Sequence, residues 1–120
     1  MNDVKADVQT LLNANPALVA LLGAKHVYID TTKNKDQYPR IVLFEIDISD
    51  ADYADDDPMA YQPIIQASIF SKERTLAIFR EVDRSMKAAG WRRIANNEVY
   101  EEDRQIYHRP LRYRNKLLYE

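Results

Sequence analysis

The residue types that could do chemistry are concentrated in two short stretches, and the first is the acidic segment SDADYADDDP, residues 49–58. Closely spaced carboxylates of this kind are the ligands that calcium prefers. A helix-loop-helix calcium loop also needs a glycine at its sharp turn and a glutamate at its end, and the segment has neither. A solvated hairpin tip is therefore favoured over a metal site. The five carboxylates of the segment are those of Asp50, Asp52, Asp55, Asp56 and Asp57.

The second stretch is IYHRPLRYRNK, residues 106–116, where basic and aromatic residues are interleaved. Proteins that bind single-stranded nucleic acids combine aromatic stacking platforms with cations that contact phosphates. In a strand, however, a period of two places Arg112, Arg114 and Lys116 on one face and the tyrosines on the other. We therefore predict that the tyrosines pack towards the core and that the three cations point outwards.

Three kinds of partner could neutralise this basic face. Phosphates of a nucleic acid are the first, and carboxylates on the same sheet are the second, with Glu98, Glu101 and Glu102 close in sequence. The third is a neighbouring subunit, because no Lys or Arg lies between Ile41 and Ser71 and the two signs of charge are segregated. A head-to-tail contact would join them, and such contacts can close into rings. Solvated faces of a monomer remain the alternative.

Residues for catalysis or cofactor binding are not recognisable in the sequence. His26 and His108 accompany no serine or cysteine motif that would form a catalytic triad. The two glycines, Gly23 and Gly90, are placed as helix ends rather than in a phosphate-binding loop. We therefore predict that the protein is not an enzyme and has no catalytic residue, no cofactor and no metal site.

The composition is that of an ordinary globular chain. With 120 residues, of which 46% are hydrophobic, the chain matches one domain spanning residues 1–120. A net charge of -2 argues against a general nucleic-acid-binding protein, which is usually strongly basic. Neither a signal peptide nor a membrane-spanning stretch is recognisable, and cysteine is absent, so we expect a protein made in a cytoplasm that does not engage a membrane.

The helices and strands that would position the charges are predicted from hydrophobic periodicity and from the Gly, Pro and Asn residues that mark their ends. Residues 40–48 and 61–70 predict a long hairpin with the acidic segment as a loop at its tip. Pro63 and Pro110 predict edge positions or bulges for their strands. The fold class is α+β, with an antiparallel sheet of about four to five strands and helices packed on one face. We predict helices over the first dozen residues, over 17–22 and from a cap at Ser71 to Gly90, strands over 26–29, 40–48, 61–70, 91–100 and 105–119, and a loop over 30–39.

The order of these pieces resembles the tail-completion proteins, also called tail-terminator or tail-to-head joining proteins, of long-tailed bacteriophages and prophages. The resemblance covers nearly the whole chain: NPALVALLG after the first helix, then VY, YPRIVLFEI, QASIFSK, AAGWRR and finally IYHRPLRYRN. No single piece is specific to the family. The AAGWRR and IYHRPLRYR pieces carry most of the similarity.

The resemblance implies a structural protein of the virion tail, assembled in the cytoplasm of the host bacterium. Such proteins form a six-fold ring that ends polymerisation of the tail tube and offers a docking surface to the head connector, while DNA passes through the lumen without specific binding. The implied partners are further copies of the chain, the tail tube protein and the head-tail connector protein. We expect the five aspartates of residues 49–58 together with Arg112, Arg114 and Lys116 to form subunit or partner interfaces. The alternative is a small nucleic-acid-associated regulatory module that uses the basic C-terminal strand.

Overall fold

The computed structural model of the chain describes residues 1–31 and 36–119, and within them the chain forms three helices and seven strands. The predicted loop over residues 30–39 includes residues 32–35, which lie outside the described residues; its described part contains neither helix nor strand. The helices are α1 (Val4–Asn13), α2 (Pro16–Leu22) and α3 (Leu76–Ala88). The strands are β1 (Val27–Ile29), β2 (Arg40–Ala54), β3 (Asp57–Ser71), β4 (Arg92–Asn96), β5 (Val99–Glu101), β6 (Ile106–Arg114) and β7 (Leu117–Leu118).

The first two helices follow the local signals in the sequence. The Asn15 side chain accepts a hydrogen bond from the Leu18 amide at 3.1 Å, and Pro16 occupies the first turn of α2, where a missing N–H costs nothing. Gly23 ends α2 with a φ of 88°, a left-handed conformation that glycine adopts without strain. The predicted capping of α2 is confirmed.

The sheet is larger than predicted and is mixed rather than antiparallel throughout. Its main path runs β1-β2-β3-β6-β4, with β5 pairing with β6 and β7 pairing with β3. The strand β1 runs parallel to β2, with Val27 opposite Ile41, whereas the other pairs are antiparallel. The prediction of a purely antiparallel sheet is wrong at this strand, because a ten-residue connection, unlike a tight turn, allows consecutive strands to run in the same direction. The α+β class nevertheless fits.

All three helices pack on the same face of the sheet, as predicted. The inward residues of β2, β3 and β6 form one hydrophobic core with the apolar stripes of the helices. We call the opposite side the helix-free face, since no helix among the described residues packs there. The fully buried members of the core include Val8, Leu12, Leu18, Ile41, Leu43, Ile65, Ala67, Ile69, Val82, Met86, Leu111 and Tyr113.

The acidic segment is not a loop. The strands β2 and β3 are 15 residues long each, and only Asp55 and Asp56 lie between them. The sequence misled because both faces of this hairpin end are exposed, so no alternation of apolar and polar residues signals a strand. A register shift between Glu45 and Asp47 leaves Ile46 as a bulge in β2.

Two prolines lie in interior strands, so their predicted edge positions are wrong. Pro63 belongs to β3, between β2 and β6, and Pro110 belongs to β6, between β3 and β4. Each proline instead faces a break in the neighbouring pairing. Pro63 lies between the segments of β3 paired with β6 and with β7, and Pro110 lies between the segments of β6 paired with β4 and with β5. A residue without an amide proton fits such a break.

The third helix starts later than predicted. Ser71 is the last residue of β3 and accepts a hydrogen bond from the Glu73 amide at 3.1 Å, outside the helix. The N-cap is Thr75, whose own side chain makes no capping bond. The two predicted C-terminal strands are each interrupted, at residues 97–98 and 115–116, which separates β4 from β5 and β6 from β7. In residues 1–31 and 36–119, no helix combines the length and apolarity needed to cross a bilayer.

Candidate interaction surfaces

The hairpin segment formed by residues 45–59 is mostly exposed, and we call it the acidic arm. It carries seven carboxylates and no Lys or Arg. An isolated two-stranded hairpin is only marginally stable in water, and repulsion between like charges weakens it further. Its carboxylates are those of Glu45, Asp47, Asp50, Asp52, Asp55, Asp56 and Asp57, all exposed.

The tip of the acidic arm is a two-residue turn with positive φ at both positions. The φ angles are 51° at Asp55 and 68° at Asp56, the pattern of the type I′ turns that match the twist of a hairpin. Asparagine followed by glycine is the usual choice there, and aspartate tolerates the left-handed region less well than glycine. The turn thus presents two carboxylates at a cost in local stability.

The root of the acidic arm is braced by the C-terminal segment. The strand β7 pairs with β3 at Ala60 and Tyr61. Lys116 forms an ion pair with Asp52, and the Tyr119 hydroxyl donates a hydrogen bond to Asp50. This hydrogen bond, followed by burial and by the charge of the carboxylate, raises the pKa of Tyr119 to about 12. Two of the five predicted aspartates are therefore held within the subunit.

The remaining three aspartates are at or beside the tip. Within the described ranges, no ion pair or side-chain hydrogen bond reaches Asp55, Asp56 or Asp57. The same arm exposes apolar area, with Ile46, Tyr53 and Met59 between 40% and 63% exposed. The acidic arm therefore combines unpaired negative charge with exposed hydrophobic side chains.

The last long strand has the two faces that the sequence predicted. Leu111 and Tyr113 are completely buried, whereas Arg112 and Arg114 are exposed on the helix-free face. Arg112 donates to the Gln66 side chain at 3.0 Å. The prediction that the tyrosines of this strand pack towards the core is confirmed for Tyr113.

Arg92 joins these two arginines in what we call the basic patch: Arg92, Arg112 and Arg114. Arg92 of β4 lies directly opposite Arg114 of β6, a like-charge pair that destabilises a sheet. Neither residue takes part in an ion pair within the described part of the chain. The carboxylates of Glu98 and Glu101, considered above as partners, instead contact Arg109 and Arg104. The basic patch is thus left for another partner.

A second set of carboxylates has the opposite character and lies in the seam between α3 and the sheet. Glu98 accepts hydrogen bonds from the Thr75 amide at 3.1 Å and the Thr75 hydroxyl at 2.6 Å. Arg109 approaches the same carboxylate at 3.5 Å and stacks over the Phe79 ring. The hydrogen bonds from Thr75 outweigh burial and, with the charge of Arg109, lower the pKa of Glu98. Glu98, which lies between β4 and β5, therefore caps α3 from outside the helix.

Asp83 is the second carboxylate of this seam. It accepts a hydrogen bond from the buried Tyr113 hydroxyl at 3.0 Å and forms ion pairs with Lys87 and Arg93 at 2.8 and 2.9 Å. Burial acts to raise the pKa of Asp83, but these hydrogen bonds and charges outweigh it, so the pKa lies below its ordinary value. Sequence reasoning missed the role of both seam carboxylates, because no local motif links residues 10 to 30 positions apart.

The two histidines lie in separate surroundings. The His26 ring contacts the Tyr28 hydroxyl at 2.9 Å. The His108 ring stacks on Phe70 with centroids 4.4 Å apart, and burial lowers the pKa of His108. The described residues contain no group of three or more His, Asp or Glu side chains arranged to hold a metal ion. The aspartates of the arm lie along two strands rather than around a common point.

Among solved structures, a chain in the "virion of native gene transfer agent (GTA) particle" has the same fold. The superposition has a TM-score of 0.74 and covers 97% of this chain and 95% of that chain. The two sequences are 17% identical, so the likeness shows the fold alone. No protein-family model matches the sequence, and no curated protein is significantly similar to it.

Proposed function

We propose that the protein is a structural component of a phage-type virion and acts by assembly rather than by catalysis. In this role, copies of the chain form a six-fold ring at the head-proximal end of the tail tube. The ring ends polymerisation of the tube and presents a surface to the head connector, and DNA passes through its lumen. The observation that supports this role most strongly is the fold shared, over nearly the full length of both chains, with a chain of a gene transfer agent virion.

The distribution of charge supports assembly through unlike surfaces. From Asp47 to the tip, the acidic arm has eight residues of β2, or about 26 Å at ~3.3 Å per residue. The basic patch lies at the other end of this distance, because Arg114 is opposite Ile64 and Ile64 is opposite Asp47. A separation of about 26 Å exceeds the Debye length of about 8 Å at physiological salt. The tip and the basic patch therefore cannot neutralise each other within one subunit.

Unlike surfaces on one subunit favour a head-to-tail contact. Each copy would offer its acidic arm to one neighbour and its basic patch to the other, and a closing rotation turns this arrangement into a ring. The aspartates at the tip also suit a contact with the tail tube protein below the ring. Asp50, Asp52 and Lys116 would act by bracing the root of the arm, since they bond within the subunit.

The proposal is tested by removing the gene from cells that produce the particles and imaging the particles by electron microscopy. We expect tails of uncontrolled length without attached heads, and restoration by the wild-type gene. Asp55→Lys/Asp57→Lys should fail to restore, because it reverses the charge of the tip. Glu102→Lys/Asp103→Lys, which changes charge equally in an exposed turn, is the matched control and should restore. Normal tails with heads in the deletion strain would refute the role.

A second candidate function is that of a nucleic-acid-associated module, and one observation favours it. Arg92 and Arg114 face each other without a carboxylate between them, as expected for a site that receives phosphate. The test is retardation of a DNA duplex at several salt concentrations, with Arg92→Glu/Arg114→Glu as the variant. Salt-dependent retardation that the variant abolishes would support this module, and absence of retardation at low salt would exclude it.

A further inference from the structure

The two longest free strand edges in the described part of the sheet run along β2 and along β4, on opposite sides of the sheet. On the outer side of β2, β1 pairs only with Ile41, Val42 and Leu43, so the edge from residue 44 to 54 has no strand partner within the described chain. At the opposite end, β4 pairs with β6 on one side and with no described strand on the other. Free edges are templates for pairing with another chain.

Exposed apolar side chains are concentrated in two regions: the arm with the adjoining β7, which lies on the β3 side of the hairpin, and the β4–β5 edge. Seven of the ten large hydrophobic residues with high exposure lie on the acidic arm and its root or on the β4–β5 edge. A concentration of this kind marks a contact surface rather than scattered exposure. Four of the seven are on the arm and its root (Ile46, Tyr53, Met59 and Leu118), and three are on the opposite edge (Ile94, Val99 and Tyr100).

The charges of the two edges select which edges can meet. Two copies of the arm would bring fourteen carboxylates together, and two copies of β4 would bring Arg92 against Arg92. Like charges placed opposite one another across strands are destabilising. An arm beside β4, in contrast, joins the acidic edge to the basic patch. The charge pattern thus excludes a symmetric dimer through either edge and permits only a head-to-tail contact.

We propose that the free β2 edge of the acidic arm pairs with the β4 edge of a second copy, so that one sheet continues from subunit to subunit. This inference rests on the proposed assembly function and specifies its contact. Backbone hydrogen bonds between the edges give affinity that does not depend on sequence, the apolar side chains cover one another, and the charges set the register and the partner. Because the two edges lie on opposite sides of the subunit, each copy binds two neighbours.

The first test uses cysteine cross-linking, since the natural chain has no cysteine. Ser49 of β2 and Ala95 of β4 are both exposed and lie on the helix-free face. The variant Ser49→Cys/Ala95→Cys, treated with a short thiol-specific cross-linker at high protein concentration, should give a ladder of multimers that ends at the closed ring. Each single variant should give no ladder, because like edges do not meet. The control pair Ser49→Cys/Ala77→Cys, with its second cysteine on α3, should also give none.

The second test is an exchange of charge in the same cross-linking background. Asp47 of β2 and Arg92 of β4 are exposed, and neither takes part in an ion pair among the described residues. Asp47→Arg alone and Arg92→Glu alone should each lower the yield of multimers about tenfold, since each places like charges together. An equal mixture of the two variants should restore the ladder. If the mixture gave no ladder, the proposed charge complementarity between the two edges would be refuted.

The outcomes separate this contact from the proposed role. A control ladder equal to that of Ser49→Cys/Ala95→Cys would overturn the edge pairing, and so would the absence of any ladder from both isolated protein and purified particles. Particles whose assembly still needs the protein would leave the proposed role intact. A specific ladder, together with normal tails in the deletion strain, would support the contact and refute the role in tail completion.

Discussion

The protein has carboxylates in two regions, which differ in how far the carboxylates are buried and in whether they have partners within the subunit. In the seam between α3 and the sheet, Glu98 and Asp83 each accept two or more partners from other elements, and their side chains are 20% and 15% exposed. On the acidic arm, Asp55, Asp56 and Asp57 are exposed and have no ion pair or side-chain hydrogen bond within the described residues. The carboxylates of the seam have partners within the subunit, whereas those at the tip of the arm have none among the described residues.

This difference separates residues that maintain the fold from residues available to a partner. A half-buried carboxylate that keeps its partners stabilises the subunit. Removing it leaves the hydrogen-bond donors and cations that it contacted without a partner. A solvated carboxylate adds little to stability, because water already solvates it. We therefore expect substitutions in the seam to lower the free energy of unfolding and substitutions on the arm to affect assembly.

The largest effect is expected for Glu98→Ala. The change leaves the Thr75 amide and hydroxyl without their acceptor and the Arg109 guanidinium without its carboxylate, which should lower the free energy of unfolding by about 2–4 kcal/mol. Urea unfolding followed by circular dichroism measures this. Asp57→Ala, which removes a carboxylate on the arm, is the control and should change stability by less than about 0.5 kcal/mol. Equal losses of unfolding free energy in the two variants would contradict the distinction between the two regions.

A somewhat smaller effect is expected for Asp83→Ala. The Tyr113 hydroxyl, which is buried, loses its acceptor, and Lys87 and Arg93 lose their ion pairs, at a total cost of about 1–3 kcal/mol. Tyr113→Phe keeps both ion pairs and should lose only about 1 kcal/mol. Thermal unfolding of the two variants side by side distinguishes the contributions. A larger loss for Tyr113→Phe would show that the ion pairs are unimportant.

The seam also predicts an acid-sensitive stability. The folded-state pKa values of Glu98 and Asp83 lie below their ordinary values of 4.5 and 3.8, so the unfolded chain takes up protons first as the pH falls. Stability from these groups is present above pH 4.5 and is lost below it. The free energy of unfolding measured from pH 6 to pH 2 should therefore fall in acid, and Glu98→Gln should flatten this dependence. An unchanged slope in that variant would contradict the assignment.

A small gain in stability is expected at the tip of the arm. Asp56→Gly places glycine at a φ of 68°, which relieves backbone strain of about 1 kcal/mol. Thermal unfolding should show a rise in Tm of a few degrees at most, and the matched change Asp57→Gly, in the adjacent strand, should lower it. A fall in Tm for Asp56→Gly would mean that its side chain has a structural role.

The sequence was informative where the signal is local. The Asn15, Pro16 and Gly23 pattern correctly bounded α2, because capping needs only neighbouring residues. Alternation correctly assigned Tyr113 to the core and Arg112 to the outside, because pleating fixes the direction of successive side chains. The likeness of fold to a virion chain agrees with the class of protein that the motifs resembled, whereas the tail-terminator role, the six-fold ring and the interface residues stay predictions.

The sequence was misleading where a feature depends on residues that are distant along the chain. Pro63 and Pro110 suit interior strands only because neighbouring strands are interrupted beside them. The acidic segment forms strands because residues 40–45 and 64–71 already hold the hairpin in register within the core, so the pairing propagates outwards. Neither the interruption of a neighbouring strand nor the outward propagation of strand pairing produces a local sequence pattern.

The sequence by itself determined the charges of the two regions, the positions of α1 and α2, and the two faces of the last strand. Only the tertiary structure decided which carboxylates are satisfied and which are left unpaired, since Thr75 meets Glu98, and Tyr113 meets Asp83, only after the sheet and α3 have packed. The physical reason is that hydrogen bonding and solvation depend on distances in space, whereas sequence patterns report separations along the chain.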